Sequence, residues 1–501
     1  MSTSRSSDDI RPLALIRALF RQLGEAGIGY THWKSTTSLD VALAGRTDLD
    51  LLVRPTELDV FRTTVAGLGF RRFRSHGSRT FSGVEDWLGV DEDSGRLVHL
   101  HVYAKLVLGQ QYVKNHHLPI EEALIARSEL RDGVRVPPAE LELMVLALRI
   151  LLKYRDLDAL RDGLRLGRRP GMERGALEEL LDLAARTDAA AVRRDVEELL
   201  PEVRGGLVED LVAIARRDPR DARALLRLRR EARRALRPYQ LTPAAVATLR
   251  YLRARASRLW PLTLWTKAPG RRQQRRKSPF AGGWTVALVG ADGAGKSTVI
   301  EGIESWLRWR VNVATIYMGS AQPSGSTRVT KLGVRAARVV RRWLGDRDGD
   351  GRPALATALR YLADARDRQR RAARGRRLAD AGAVVVFDRY PLPGLTLDGH
   401  LMDGPRIRAV LGDGNRVLAW LAAREEQLYR RIAMPDQVVV LHLPADVALA
   451  RKTHRDPDAV RAKAAAVERF ELANTPVAHV DASQPADAVL RAVKAVLWGN
   501  M

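Results

Sequence analysis

The spacing of apolar positions changes character twice along this chain. Up to about residue 135, short strand-like runs alternate with helical stretches. "TDLDLLV" (Thr47 to Val53) alternates apolar and polar residues and stops before Pro55; "EDWLGV" and "RLVHLHVY" flank the turn-forming "DEDSG", which predicts a hairpin. From Pro137 to Arg258 the apolar residues recur every three or four positions, as in "PPAELELMVLALRILLKYRDLDALRDGL" and "ALEELLDLAARTDAAAVRRDVEELL". This predicts helices, broken at "GRRPG", "PEVRGG" and "RPYQLTP". From Trp284 onward five apolar runs ("TVALVG", "VATIYMG", "AVVVFDRY", "QVVVLHL" and "VAHVDAS") are separated by helical patterns. That alternation predicts an α/β fold with a parallel sheet and helices on both faces. The expected organisation is a small α/β or α+β domain at 1–135, a helical domain at 136–258, a linker at 259–283 and the α/β domain at 284–501.

Composition narrows the class. A chain of 501 residues, 46% hydrophobic and 29% charged, is long enough for several cores. With no cysteine, disulfides, zinc fingers and cysteine nucleophiles are excluded. The start, "MSTSRSSDDIRPLALIRALF", lacks the basic opening and cleavage site of a signal peptide. No window reaches about 18 uncharged apolar residues, so no transmembrane helix and a cytoplasmic location are expected. The longest candidate, Leu141 to Leu152, contains Arg149 and reads as a buried helix.

Charge is unevenly spread. Of the net +25, the stretch from Arg216 to Lys277 supplies +17, from 20 basic residues against three acids. Such a stretch can bind nucleic acid or an anionic membrane face. No nucleic-acid motif accompanies it, so it reads as the solvated faces of arginine-rich helices. Trp260 and Trp265 in the basic linker are expected to dock it onto a neighbouring domain.

The strand-like "TVALVG" runs into Gly290, Gly293, Gly295, Lys296, Ser297 and Thr298, a match to the phosphate-binding pattern G-x-x-x-x-G-K-[ST]. Its glycines let backbone N–H groups face a β-phosphate, and the helix that follows adds a positive dipole end. Lys296 is expected to bridge the β- and γ-phosphates of ATP, and the Ser297 hydroxyl to ligate Mg²⁺. "VVVFDRY" puts Asp388 at a strand end, suited to the metal, with Arg389 beside it as a fork for a second phosphate. Between Gly290 and Gly295 no residue is basic, so the positive charge that phosphoryl transfer needs has to come from elsewhere. "ARKTHRD" (Ala450 to Asp456), with Arg451, Lys452 and Arg455, is the source to examine; the plain alternative is a charged helix end.

Together these segments resemble the thymidylate kinase family. Gly290-x-Asp292-Gly293-x-Gly295-Lys296-Ser297-Thr298 is similar to its G-x-D-G-x-G-K-[ST]-T loop, and Asp388-Arg389-Tyr390 to its D-R-[YH] motif. "PDQVVVLHLPADVALARK" (Pro435 to Lys452) resembles the segment that leads into its lid, and "HVDASQPADAV" (His479 to Val489) its adenine-packing loop. "LADARDRQRR" (Leu362 to Arg371) resembles its arginine-bearing helix, with Arg368 as the match. The resemblance covers about residues 284 to 499. It implies ATP- and Mg²⁺-dependent phosphoryl transfer from a nucleoside triphosphate donor to a phosphorylated small-molecule acceptor, thymidine monophosphate being the family default. It further implies that Asp292 orients the acceptor, that Arg389 grips its phosphate, and that the chain forms a homodimer. Two segments depart from the family: "YMGSAQPSGS" (Tyr317 to Ser326) and "PLPGLTLDGHLMDGPRI" (Pro391 to Ile407), both on the acceptor side. No N-K-x-D guanine motif and no L-S-G-G-Q transporter signature is present.

In the first domain, Asp48 and Asp50 alternate on a strand and so share one face, where they could hold a divalent metal. Lys34-Ser35 precedes them at the spacing of the h-G-[GS]…D-x-D signature, so residues 10 to 135 resemble the nucleotidyltransferase fold, with Lys34 in place of the glycine. The run expected to carry a third carboxylate, "RLVHLHVY", has His99 and His101 but no acid. A domain that binds or regulates without catalysing is the alternative. His116-His117 reads as a solvated turn. Three readings of the whole stay open: a kinase of nucleoside monophosphates or related molecules, a regulatory ATP-binding protein without acceptor turnover, and a nucleotidyltransferase working through its N-terminal domain.

Overall fold

In the computed structural model, residues 11–75, 80–110, 113–165, 170–259, 276–291, 293–320, 332, 354–397, 400–411, 416–451, 457–472 and 475–501 are described. The chain divides into two compact units, Met1–Lys267 and Ala268–Met501. Trp260 and Trp265 lie outside the described residues. Among the described residues, no helix is long and apolar enough to cross a membrane.

The first unit is built on a mixed sheet. Its strands β1 (Tyr30–His32), β2 (Leu49–Val53), β3 (Arg71–Arg74), β4 (Val84–Asp91) and β5 (Arg96–Tyr103) run in the order β1-β2-β5-β4-β3. β4 and β5 form the expected antiparallel hairpin, with Asp86 opposite His101, while β2 and β5 are parallel, with Asp50 opposite His101. Every residue of β2 is buried, because helices cover the sheet where an alternating strand would leave one face to water. The region after Pro137 is helical: Ala139–Lys153, Asp156–Gly163, Arg174–Arg186, Ala189–Leu199, Leu207–Arg217, Ala222–Ala235 and Ala244–Leu259. Asp188 and Asp221 start two of these helices by accepting the otherwise orphaned amides of Ala190, Ala191 and Ala224. Leu141 to Leu152 is buried throughout, Glu142 and Arg149 included. Its apolar side chains share one core with Trp33, Leu52 and Tyr103 from the sheet and with Leu211 and Leu228 from later helices.

One local expectation is corrected. His116-His117 is no solvated turn but the end of the strand Val113–His117, which pairs with Val107–Gln110. His116 is buried, among the described residues neither ring nitrogen is hydrogen-bonded, and burial lowers its pKa to about 4. A folded-state pKa below the unfolded value means that the unfolded chain binds the extra proton. Stability should therefore fall as pH drops from about 6.5 towards 4, by up to about 3 kcal/mol from this group. Thermal unfolding at pH 7 and pH 5 measures the loss; His116→Phe should shrink the gap, and an unchanged gap would remove His116 as its cause.

The second unit is a five-stranded sheet in the order Val313–Tyr317, Val384–Asp388, Trp284–Gly290, Gln437–His442, Val477–Asp481. All four pairings are parallel, so all five apolar runs read from the sequence become neighbours pointing the same way. The strand order reverses on either side of Trp284–Gly290, which opens a crevice at the carboxyl ends of the strands. Helices Lys296–Arg308, Ala354–Asp380, Pro457–Glu468 and Ala486–Asn500 pack on the sheet, and Arg416–Arg430 packs on Ala354–Asp380. The long Ala354–Asp380 helix sits close to its neighbours because Ala358, Ala365, Ala372 and Ala379 are small and buried at seven-residue spacing. At Gly375 the approach is closer still: a Cβ there would overlap the Phe387 ring.

Candidate functional site

The glycine loop leaves its strand at Gly290, whose missing Cβ would come within 2.9 Å of the Leu441 carbonyl oxygen. Gly293 and Gly295 take φ of +94° and +78°, the left-handed region that side chains disfavour. The helix Lys296–Arg308 begins at once. The loop is therefore a turn of backbone amides against a helix N-terminus, the arrangement that cradles phosphate. Lys296 Nζ donates to the carbonyls of Gly290 and Ala291, both at 2.8 Å, so its ammonium lies folded along the loop. Ser297 and Thr298 are exposed on the first helical turn. Asp292 is outside the described residues.

Asp388 ends its strand in register with Leu288 of the loop strand and Tyr317 of the edge strand. Its Oδ1 is buried and, among the described residues, has no hydrogen-bond partner. Burial raises its pKa, against the charges of Lys296 and Arg389. Next to it Arg389 holds φ at +60°, a strained value for a residue with a side chain, which turns the chain sharply off the strand.

Arg389 lines a cavity of about 240 Å³ with Arg360, Asp364, Arg368, Asp403 and Tyr429. Arg368 is buried there. It donates to Met318 O at 3.0 Å, to the Tyr429 hydroxyl at 2.6 Å and to Asp403 Oδ1 at 2.9 Å. Arg371 donates to Tyr317 O at 3.0 Å and Gly319 O at 2.8 Å. The start of the divergent segment Tyr317 to Ser326 is thus pinned by two arginines; residues 321–326 are outside the described residues.

Arg451 closes the helix Ala445–Arg451 with its guanidinium 3.5 Å from Gly293 O and bonded to Ala482 O at 3.1 Å. It therefore spans from the glycine loop to the "VDAS" turn. Lys452 and Arg455 are outside the described residues. Asp436 lies at the opposite end of the sheet: its carboxylate accepts from Thr285 N at 2.8 Å and Thr285 Oγ1 at 2.7 Å, a bond that fixes where the loop strand begins. Tyr390 is buried in the core beside Phe387 and donates to Ala433 O.

These donors suit ATP and Mg²⁺. The loop offers amides and an ammonium for phosphate, while the orphaned Asp388 Oδ1 is a hard oxygen of the kind Mg²⁺ takes.

The first unit has a second polar cluster. Asp48 Oδ1 is 2.7 Å from His99 Nδ1, whose Nε2 is 3.0 Å from Asp86 Oδ1. Asp50 accepts from Lys34 Nζ at 2.7 Å and lies 3.1 Å from His101 Nδ1. A third acid, Asp86 of β4, joins the cluster through His99; the residues "EDW" opposite His101 in the hairpin were the available signal. Burial pushes the Asp50 carboxyl up, but Lys34 and His101 outweigh it and hold the group well below the usual carboxylate range. Ser35 takes φ of +58° in the preceding turn, and Thr36 N bonds the buried Glu142 at 2.9 Å. Asp48 and Asp50, the acids expected to hold a metal, contact His99 and His101, and Asp50 also accepts from Lys34. Among the described residues, no group of three or more His, Asp or Glu side chains is arranged to bind a metal ion.

No protein-family model matches the chain. It is similar to the uncharacterized ATP-binding protein YghR of Escherichia coli (strain K12), with 26% identity over 219 residues, 42% of this chain and 86% of that one. The uncharacterized ATP-binding protein YghS of the same strain is 26% identical over 218 residues, 41% of this chain and 89% of its own.

Proposed function

We propose that this protein is an ATP- and Mg²⁺-dependent phosphotransferase that phosphorylates an already phosphorylated small molecule in its C-terminal unit. One observation carries the reading: a glycine loop and an arginine-lined cavity meet at the same carboxyl ends of one parallel sheet, with Asp388 and Arg389 adjacent between them. The two relatives named as ATP-binding proteins agree with the nucleotide half of it.

When bound, ATP with its Mg²⁺ supplies the phosphoryl group and neutralises part of its charge. The loop amides and Lys296 would hold the β- and γ-phosphates, and Ser297 and Asp388 would hold the cation. Arg389 would receive the acceptor phosphate from the cavity side. Arg451 would bring charge to the transferring group from the lid side, joined by Arg455, and Asp292 would orient the acceptor. Arg360, Asp364 and Asp403 give the cavity both donors and acceptors, which suits a hydroxylated body attached to the phosphate.

The test is ADP release by the purified full chain, given ATP and Mg²⁺ with a panel of nucleoside monophosphates, thymidine monophosphate included, and sugar phosphates. At least one acceptor should raise the rate well above the acceptor-free background. If none does, the transferase reading fails and ATP serves a binding or regulatory role.

A further inference from the structure

A cavity of about 830 Å³ lies in the first unit, far larger than the arginine-lined one and within the range that holds small-molecule ligands. Its lining includes Asp48 and His101 from the acid–histidine cluster, and the aromatic faces of Trp33, Tyr103 and Tyr154. Among the described residues, seven basic side chains line it against three acids.

Most of these bases are already matched. Lys34 pairs with Asp50, Arg149 with Glu179 at 3.3 Å, Arg155 with Asp158 at 2.7 Å and Arg174 with Glu178 at 2.7 Å. Lys114, Lys153 and Arg161 are different: among the described residues none of them forms an ion pair, and of the three Lys114 and Lys153 stand beside the acid–histidine cluster. Lys114 Nζ donates to the Tyr103 hydroxyl at 3.0 Å and sits 4.8 Å and 4.7 Å from the ring centroids of Phe81 and Tyr103. Aromatic faces and a phenol hold an ammonium in place without cancelling its charge. Holding Lys114 at this part-buried wall without an ion-pair partner costs stability, and an incoming anion relieves that cost.

A metal could serve the same end, but the acids that would hold it are occupied. Lys34 Nζ sits on Asp50 Oδ2, and His99 on Asp48. We propose that this cavity binds a phosphorylated small molecule without a divalent cation, with Lys114 and Lys153 taking the phosphate charge and the aromatic wall taking the body of the ligand. Lys34 here does the work of a cation, as a fixed charge that neutralises Asp50 and admits an anion next to it. The inference does not depend on transferase activity in the C-terminal unit.

Titration calorimetry with inorganic pyrophosphate tests it, on the full chain carrying Lys296→Ala so that the glycine loop is weakened as a competing site. Saturable one-site binding is expected in EDTA and is unchanged when Mg²⁺ replaces EDTA. Lys114→Met should weaken it about tenfold or more, the scale of one lost charged hydrogen bond. Since Lys114 is packed between rings, Lys153→Met, at the exposed edge, provides a second variant with the same expected direction. No saturable binding, binding that requires Mg²⁺ and vanishes in Asp48→Asn, or binding indifferent to both lysines would each overturn the proposal.

Discussion

Lys296→Ala is expected to lower ATP-dependent phosphoryl transfer by about a thousandfold in kcat/KM, with the best acceptor of the panel. The size follows from removing a preorganised cation aimed at developing phosphate charge, one of the largest single contributions available to such a site. The fold should survive. Lys296 Nζ bonds two carbonyls of its own loop, and the left-handed glycines that shape the turn remain. A melting temperature within a few degrees of the parent, combined with the rate loss, is the expected pair of results. A variant that keeps parental turnover would remove the glycine loop from the reaction.

Arg368→Ala should behave in the opposite way, with stability falling along with acceptor use. The guanidinium is buried and bonds Met318 O, Tyr429 and Asp403 through different nitrogens. Deleting it leaves the part-buried Asp403 and a backbone carbonyl without this donor, a change that costs up to roughly 3 kcal/mol. The acceptor KM should rise, because Asp403 and the Tyr317 to Gly319 backbone line or border the cavity. Arg368→Lys should recover little, since one ammonium cannot reach three separated acceptors in a plane. Differential scanning calorimetry and acceptor kinetics measure the two effects; a variant unchanged in both would reduce Arg368 to a bystander.

Features of the C-terminal sheet were legible because each of its strands is a contiguous apolar run and its glycine loop is a contiguous motif. Asp388 and Arg389 were legible for the same reason. The arginine-lined cavity was not, because Arg360, Arg389, Asp403 and Tyr429 come from separate segments whose meeting depends on how a helix and a loop are seated. In the first unit the hairpin was readable, yet Asp86 was overlooked: which face an acid takes is set by the register with β5, and only the paired strands reveal it. His116 failed for a related reason. Two histidines before Leu-Pro look like a turn locally, and the partner strand that buries one of them lies upstream. Lys34 in place of a glycine could be seen at once, but its bond to Asp50 needed the fold.

Gly375 has a consequence beyond packing. The helix that carries Arg360, Arg368 and Arg371 touches the sheet there at the Phe387 ring, one residue before Asp388. Arg368 lies seven residues away, about two turns or roughly 10 Å along the helix axis. A side chain added at Gly375 would meet the Phe387 ring, so either the ring or the helix that carries the arginines would have to shift. Gly375 thus bears on the seating of Arg368 and Arg371 although it lines no part of the cavity they border.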